Sequence, residues 1–319
     1  MVNVIEKQFK TLREQLEIMK SKGMTINDEA FAKKVLLREN YFFLNGYRYP
    51  FMKSSSDKHF LKGVTFEEMY SLFLFDRAIR NVFLKNLLII ENNLKSIFSY
   101  QLSKKYGYKE KDYLRAKNFT SDRSKQRQVN DLIKKMKRQI RSNSNQHTAT
   151  AHYAKNYGYV PLWILVKVLS FGIIGELFSI FKYEDQIDIC ELYHIDVSTF
   201  HIYLPILSNY RNLCAHEDIF YENRTQKVIP DTIYHKVLEI PKDSEEVYIN
   251  GKNDLFALLI IMKQMLTDQE FTDFILELDG WIQNLDYNLH TIKIEKIMNR
   301  MGFPNNWKQL MNIERSFGN

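Results

Sequence analysis

The chain has 319 residues, of which 45% are hydrophobic and 26% charged. That is enough apolar material for a substantial core and excludes an intrinsically disordered chain. With 11 Gly and 6 Pro, it lacks the turn residues that sandwiches and barrels need, so an all-α fold is predicted. Two cysteines, Cys190 and Cys214, exclude a disulfide framework and a four-thiolate zinc site, and point to a reducing, cytoplasmic home. Net charge is +7, and it is unevenly placed. Segment 121–141 holds Arg123, Lys125, Arg127, Lys134, Lys135, Lys137, Arg138 and Arg141 against Asp122 and Asp131, a net +6 of that +7. Positive charge focused on one element is the footprint of a polyanion partner.

In chain order, residues 1–24 read as an amphipathic helix ending at Gly23. Residues 25–40 suggest a second, entered through Thr25 and Asn27. The aromatic run 40–50 is turn-rich, with Gly46 available for a left-handed φ. Thr65–Phe66–Glu67–Glu68 has the form of a capping box, and a helical pattern follows to about Lys105. Its inner stripe holds Met69, Phe73, Leu84, Leu87, Leu94 and Phe98, but also Asp76, Arg80 and Glu91. Charges on an apolar stripe must be paired or must line a cleft. Asp76 and Arg80 are spaced to pair with each other. Glu91 lies roughly 16 Å from Arg80 along the helix and needs a partner from elsewhere, either as a structural ion pair or to orient a catalytic cation.

The basic segment 121–141 is a helix with an apolar stripe of Val129, Leu132, Ile133, Met136 and Ile140. It reads as a phosphate-tracking surface, with a merely solvated face as the plain alternative. A membrane-surface role is disfavoured because the stripe holds no Trp or Phe. Residues 142–150 are read as a polar loop. Segment 161–182 gives two helices broken near 170–175, and its Lys167 and Glu176 mark it as core rather than a membrane span. Helices are expected at 184–193, at 197–204 capped by Asp196, and from Pro205 to about His216. Residues 217–253 read as loops with a short hairpin, 254–300 as helix, and 301–319 as loosely determined. Three segments result, 1–62, 63–224 and 225–319, taken together as one compact unit.

Familiar catalytic signatures are missing: there is no GxGxxG, P-loop, HExxH or GxSxG. His147 and His152 have no partner spaced for a metal, and no cofactor is expected. What remains is Arg211–Asn212–Leu213–Cys214–Ala215–His216 at a helix end. By spacing alone the simpler reading is a helix-terminal His⁺ favoured by the macrodipole, with a surface Arg. Asn212 and His216 share a helix face, with Arg211 beside it.

RNLCAH resembles the R-N-x-x-x-H motif of the HEPN superfamily, and the wider chain resembles the Abi_2 family of AbiD/AbiF-like abortive-infection proteins. The aromatic block at 36–51, the F-D-R-x-[LI]-R helix with its later I-E at 63–92, the L-P-x-W…S-x-G segment at 160–178, and the R-N-x-x-A-H block followed by N-R at 210–224 carry the likeness in the same order. The sequence departs at Glu217, where a second histidine is common. The resemblance implies a HEPN-like helical bundle with additional N- and C-terminal helices and a short irregular or hairpin insertion after the R-x4-H motif. It also implies metal-independent RNA cleavage at a two-fold dimer interface in phage defence, with Arg211 and His216 catalytic and Asn212, Glu91, Asp76, Arg80, Asn223 and Arg224 supporting.

The chemistry is coherent. Without a metal, the 2′-OH must lose a proton, the phosphate charge must be stabilised, and the 5′-oxygen must gain a proton. A histidine, of ordinary pKa about 6.5, serves either proton step, and arginine is a fixed fork for phosphate. Two copies of the chain supply an acid and a base on opposite faces of the reaction. Expected partners are RNA, a second copy, and an inhibitory RNA or protein antitoxin that silences a toxin. No membrane is expected. A non-catalytic RNA-binding HEPN protein is the alternative reading.

Overall fold

Side-chain caps set the first helices. Thr11 opens α1 (Leu12–Ser21) in a reciprocal capping box with Glu14. Asp28, not Thr25 or Asn27, caps α2 (Glu29–Glu39) by accepting from the Phe31 N–H. Thr25 instead pairs its backbone with Val64 and Phe66. Asn40 accepts from Phe42 and starts α3 (Tyr41–Gly46). The left-handed φ expected of Gly46 falls on Asn40, at 65°, where a side-chain cap holds it. The structure, a computed structural model, describes residues 8–54, 56–216 and 218–315.

The long periodic segment forms α4 (Phe66–Tyr106), 41 residues and roughly 60 Å of continuous helix. Its inward stripe is buried except for Leu84, which is half-buried, and Asp76, Arg80 and Glu91 are buried with it. The capping box is only half formed. Thr65 accepts from the Glu68 N–H, but the Glu68 carboxylate turns away to the C-terminal region. There it accepts from the backbone N–H groups of His290 and Thr291, each at 2.8 Å, and from the Thr291 hydroxyl.

After α5 (Glu110–Tyr113) and a 3₁₀ turn at Arg123–Lys125, the basic segment forms α6 (Gln126–Asn143), docked through Val129, Leu132, Ile133 and Met136. The loop expected at 142–150 is shorter. His147 accepts from Thr150 and caps α7 (Thr148–Tyr157), because an imidazole nitrogen can cap as an Asp oxygen does. Segment 161–182 breaks as expected, into α8 (Leu162–Leu165), a 3₁₀ turn and α9 (Phe171–Ser179), the latter capped by Ser170. α10 (Tyr183–Cys190) follows.

The two helices expected around Pro205 are one, α11 (Val197–Ala215), with Asp196 as its cap and Pro205 inside. Proline there forgoes only the bond to the His201 carbonyl, while packing on both flanks keeps the helix continuous. The region 218–253 is irregular, with α12 (Ile233–Val237) and a single antiparallel bridge between Lys242 and Tyr248 where a hairpin is expected. α13 (Leu255–Met265) is buried on every side. α14 (Asp268–Asn288) lies along α4, and α15 (Ile294–Met301) follows. Over 301–315 the tail is packed rather than loose, since Phe303, Trp307 and Leu310 are buried, and 316–319 lie outside the described residues. No strand occurs among the described residues, and none of their helices is long and apolar enough to cross a membrane.

One contiguous core joins α1 to the buried tail. Glu68 is its far-reaching polar tie. Glu68→Ala leaves three donors without their acceptor and is expected to lower stability by about 3 kcal/mol in urea unfolding, with Thr291→Val costing about 1 kcal/mol.

Candidate functional site

The turn that follows the R-x4-H motif is held from below by α4. Asp76, fully buried, accepts from the Phe220 N–H at 3.1 Å, the Tyr221 N–H at 2.6 Å, the Tyr47 hydroxyl at 2.7 Å and Arg80 Nη2 at 3.4 Å. Burial pushes this carboxyl up to about 6, while the four surrounding donors favour its charged form. Arg80 is also buried, and its Nε and Nη1 find no acceptor. Asp76 and Arg80 therefore do not face a ligand. They fix where the chain goes after His216.

Glu91 takes two cations. Its Oε2 accepts from Arg211 Nε at 3.1 Å, and its Oε1 lies 2.7 Å from Lys95 Nζ. The Lys95 contact is an i,i+4 pair legible in the spacing, though not one the sequence reading identified. The carboxylate is 5% exposed and the arginine side chain 33%. Only Nε of Arg211 is used among the described residues, so both terminal NH₂ groups are available to an anion.

His216 caps the C-terminal end of α11, its N–H donating to the Leu213 carbonyl, and its side chain is exposed. With Asn212 it lines an open groove of about 620 Å³ between α9 and α11. Gly172 and Gly175 of α9 keep the groove wall low, a Cβ at Gly172 coming within 3.7 Å of Ser208 Oγ. No hydrogen bond joins Asn212 to His216 among the described residues. Arg211 lies outside this groove. Five positions separate it from His216, about 140° around the helix, so within one chain the guanidinium faces α4 and the imidazole faces α9. Glu217 lies outside the described residues.

Asn223 and Arg224 belong to the fold beside the site. The Asn223 carbonyl accepts from the Tyr210 hydroxyl, and Arg224 lies 3.9 Å from Asp254, the cap of α13. Cys214 and Cys190 are buried, and burial pushes each thiol up to about 12, which suits packing rather than nucleophilic work. Among the described residues no three His, Cys, Asp or Glu side chains gather as a metal-binding group.

The basic element approaches the groove directly. Gln128 of α6 lines it with His216, and Glu176 of α9 joins it to a second hollow lined by Arg127 and Lys135. Lys125 donates to the Ser179 carbonyl, and Lys135 pairs with Glu176 at 3.1 Å. Arg127 and Lys134 share Asp131 at 3.8 and 4.0 Å. Arg123, Lys137, Arg138 and Arg141 are exposed with no carboxylate in ion-pair range among the described residues. Gln128, Ser208 and Asp218 are groove residues that the sequence reading did not single out. The glycine pair 172/175, three apart on a helix, was the available signal.

Asp76→Ala strands a buried guanidinium and two backbone N–H groups. It is expected to cost about 4 kcal/mol, and to raise hydrogen exchange at 218–221 before exchange rises elsewhere.

Residues 34–222 match the sequence profile of the family described as Abi-like protein. No curated protein and no solved structure matches the chain.

Proposed function

We propose, because this chain belongs to the Abi-like protein family, whose name points to abortive infection as a defence against phage, that it is a HEPN-type endoribonuclease toxin acting in the cytoplasm. A solvated imidazole in an open groove beside a run of exposed cations is the observation that carries the reading. One His216 takes the 2′-OH proton, O2′ attacks phosphorus, the P–O5′ bond breaks, and a second imidazole returns a proton to O5′. The products are a 2′,3′-cyclic phosphate and a 5′-OH. Arg211, gripped at Nε by Glu91, offers its two free NH₂ groups to the phosphate oxygens.

Within one chain the imidazole and guanidinium point to different sides of α11, so the reacting pair is composed across a two-fold interface by two copies. Arg123 of the preceding 3₁₀ turn and Arg127, Lys134, Lys137, Arg138 and Arg141 of α6 hold the flanking phosphates. A toxin of this kind needs silencing in healthy cells, by an inhibitory RNA on α6 or by a protein antitoxin.

The test is cleavage of mixed RNA in EDTA. We expect cyclic-phosphate ends, intact DNA, specific activity that falls on dilution, and a loss of about 10²-fold or more for His216→Ala and for Arg211→Ala. Glu91→Gln is expected to fall between parent and Arg211→Ala. The separation of Arg211 from His216 favours one other reading, a non-catalytic RNA-binding protein. Steeply salt-dependent RNA binding with no product, unchanged by His216→Ala, would establish that reading instead.

A further inference from the structure

The aromatic block at 40–51 divides into two sets. Leu44, Tyr47 and Phe51 are buried, whereas Phe42, Phe43 and Tyr49 are 77%, 49% and 48% exposed. Asn40 makes this division by its left-handed φ, which turns the chain sharply between α2 and α3. Three aromatic rings open to solvent on one short helix and its following turn are not explained by packing. Beside them Arg48 lies flat, its guanidinium carbon 4.3 Å from the centre of the Tyr49 ring. Its NH groups donate to the Asn45 carbonyl and the Tyr49 hydroxyl, with no carboxylate in ion-pair range among the described residues.

These residues line a hollow of about 660 Å³ together with Lys10, Gln15 and Ile18 on one side and Asp218 and Ile219 on another. Gly46 closes the contact from below, since a Cβ there would come within 2.7 Å of Ile219 Cδ1. The aromatic helix is thus seated directly on the segment that follows His216. Asp218 also lines the His216 groove, which in turn shares Gln128 and Glu176 with the hollow of Arg127 and Lys135. Three depressions joined by common walls run from exposed rings, past the imidazole, to exposed cations.

We infer that the hollow of Phe42, Phe43, Arg48 and Tyr49 is a nucleobase-stacking subsite, so that the ligand of this surface is single-stranded RNA with unpaired bases rather than a duplex. The inference deepens the RNA reading above and rests on it. Rings and a planar guanidinium offer faces to bases of any sequence, while the cations of α6 hold phosphates at the other end. Asn40, Asn45 and Asp218 supply polar edges at the rim. A duplex keeps its bases stacked and cannot enter, so strand state, not sequence, is what this end of the surface selects.

The experiment uses the full chain in EDTA and a fluorescein-labelled 2′-O-methyl RNA of about twelve nucleotides, which has no free 2′-OH and cannot be cut by 2′-OH attack. The intact single strand, the same strand with abasic positions, and its duplex are titrated against parent and a Phe42→Ala/Tyr49→Ala variant. The variant is expected to bind the intact strand about 10-fold more weakly and the duplex unchanged. The abasic strand is expected to bind parent as weakly as the intact strand binds the variant, with no further loss when both changes are combined. Equal binding of intact and abasic strands by parent overturns the subsite, and this comparison decides even if the variant fails to fold. Unchanged binding by a folded variant overturns it also. Cleavage of unmodified RNA is scored separately. Stacking without cleavage sinks the nuclease and keeps the subsite, cleavage without stacking does the reverse, and no binding of any strand sinks both.

Discussion

Everything about the site's placement follows from one buried carboxylate. Asp76 is sealed inside the protein, where an isolated charge is prohibitively unfavourable, and it is tolerated because two backbone N–H groups, a tyrosine hydroxyl and a guanidinium converge on it. The same bonds dictate that residues 220–221 cross α4 at that level and that Tyr47 reaches in from the aromatic block. The turn after His216, the helix before it and the segment at 40–51 are therefore positioned by a common anchor. A hydrophobic residue at 76 would pack as well, but it would specify none of these crossings.

α11 then works on two sides at once. Toward α4 it presents Arg211 to Glu91, and toward α9 it presents Asn212 and His216 to an open groove. Five positions along α11 place Arg211 and His216 about 140° apart around its axis, and each meets a different neighbour. The two-copy site proposed above rests on this separation.

Much of this was legible in the sequence. The charged interruptions at 76, 80 and 91 announced that an otherwise apolar stripe needed polar partners, and the stripe itself located α4 to within a residue or so of its ends. What was not legible was which distant group answered each charge. Glu68 reads locally as the second half of a capping box, yet its carboxylate is taken by residues more than two hundred positions away. Pro205 reads locally as a helix start, yet tertiary packing carries α11 through it. Asn40 adopted the backbone conformation expected of Gly46 because its side chain could cap α3, while Gly46 serves to admit Ile219. Each discrepancy arose where a long-range contact outweighed a local preference. The groove was hidden for the same reason, since its walls come from α6, α9 and α11, which only the fold brings together.

The three inward carboxylates of α4, at 68, 76 and 91, grip three separate parts of the chain from one unbroken rod. This makes the length of that rod a conserved quantity of the architecture. Deleting a single residue between 76 and 91 would swing Glu91 through about 100° and draw it about 1.5 Å along the axis, away from the guanidinium it holds. Relatives should therefore differ in length in the exposed segment 241–247, and hardly ever between Glu68 and Glu91.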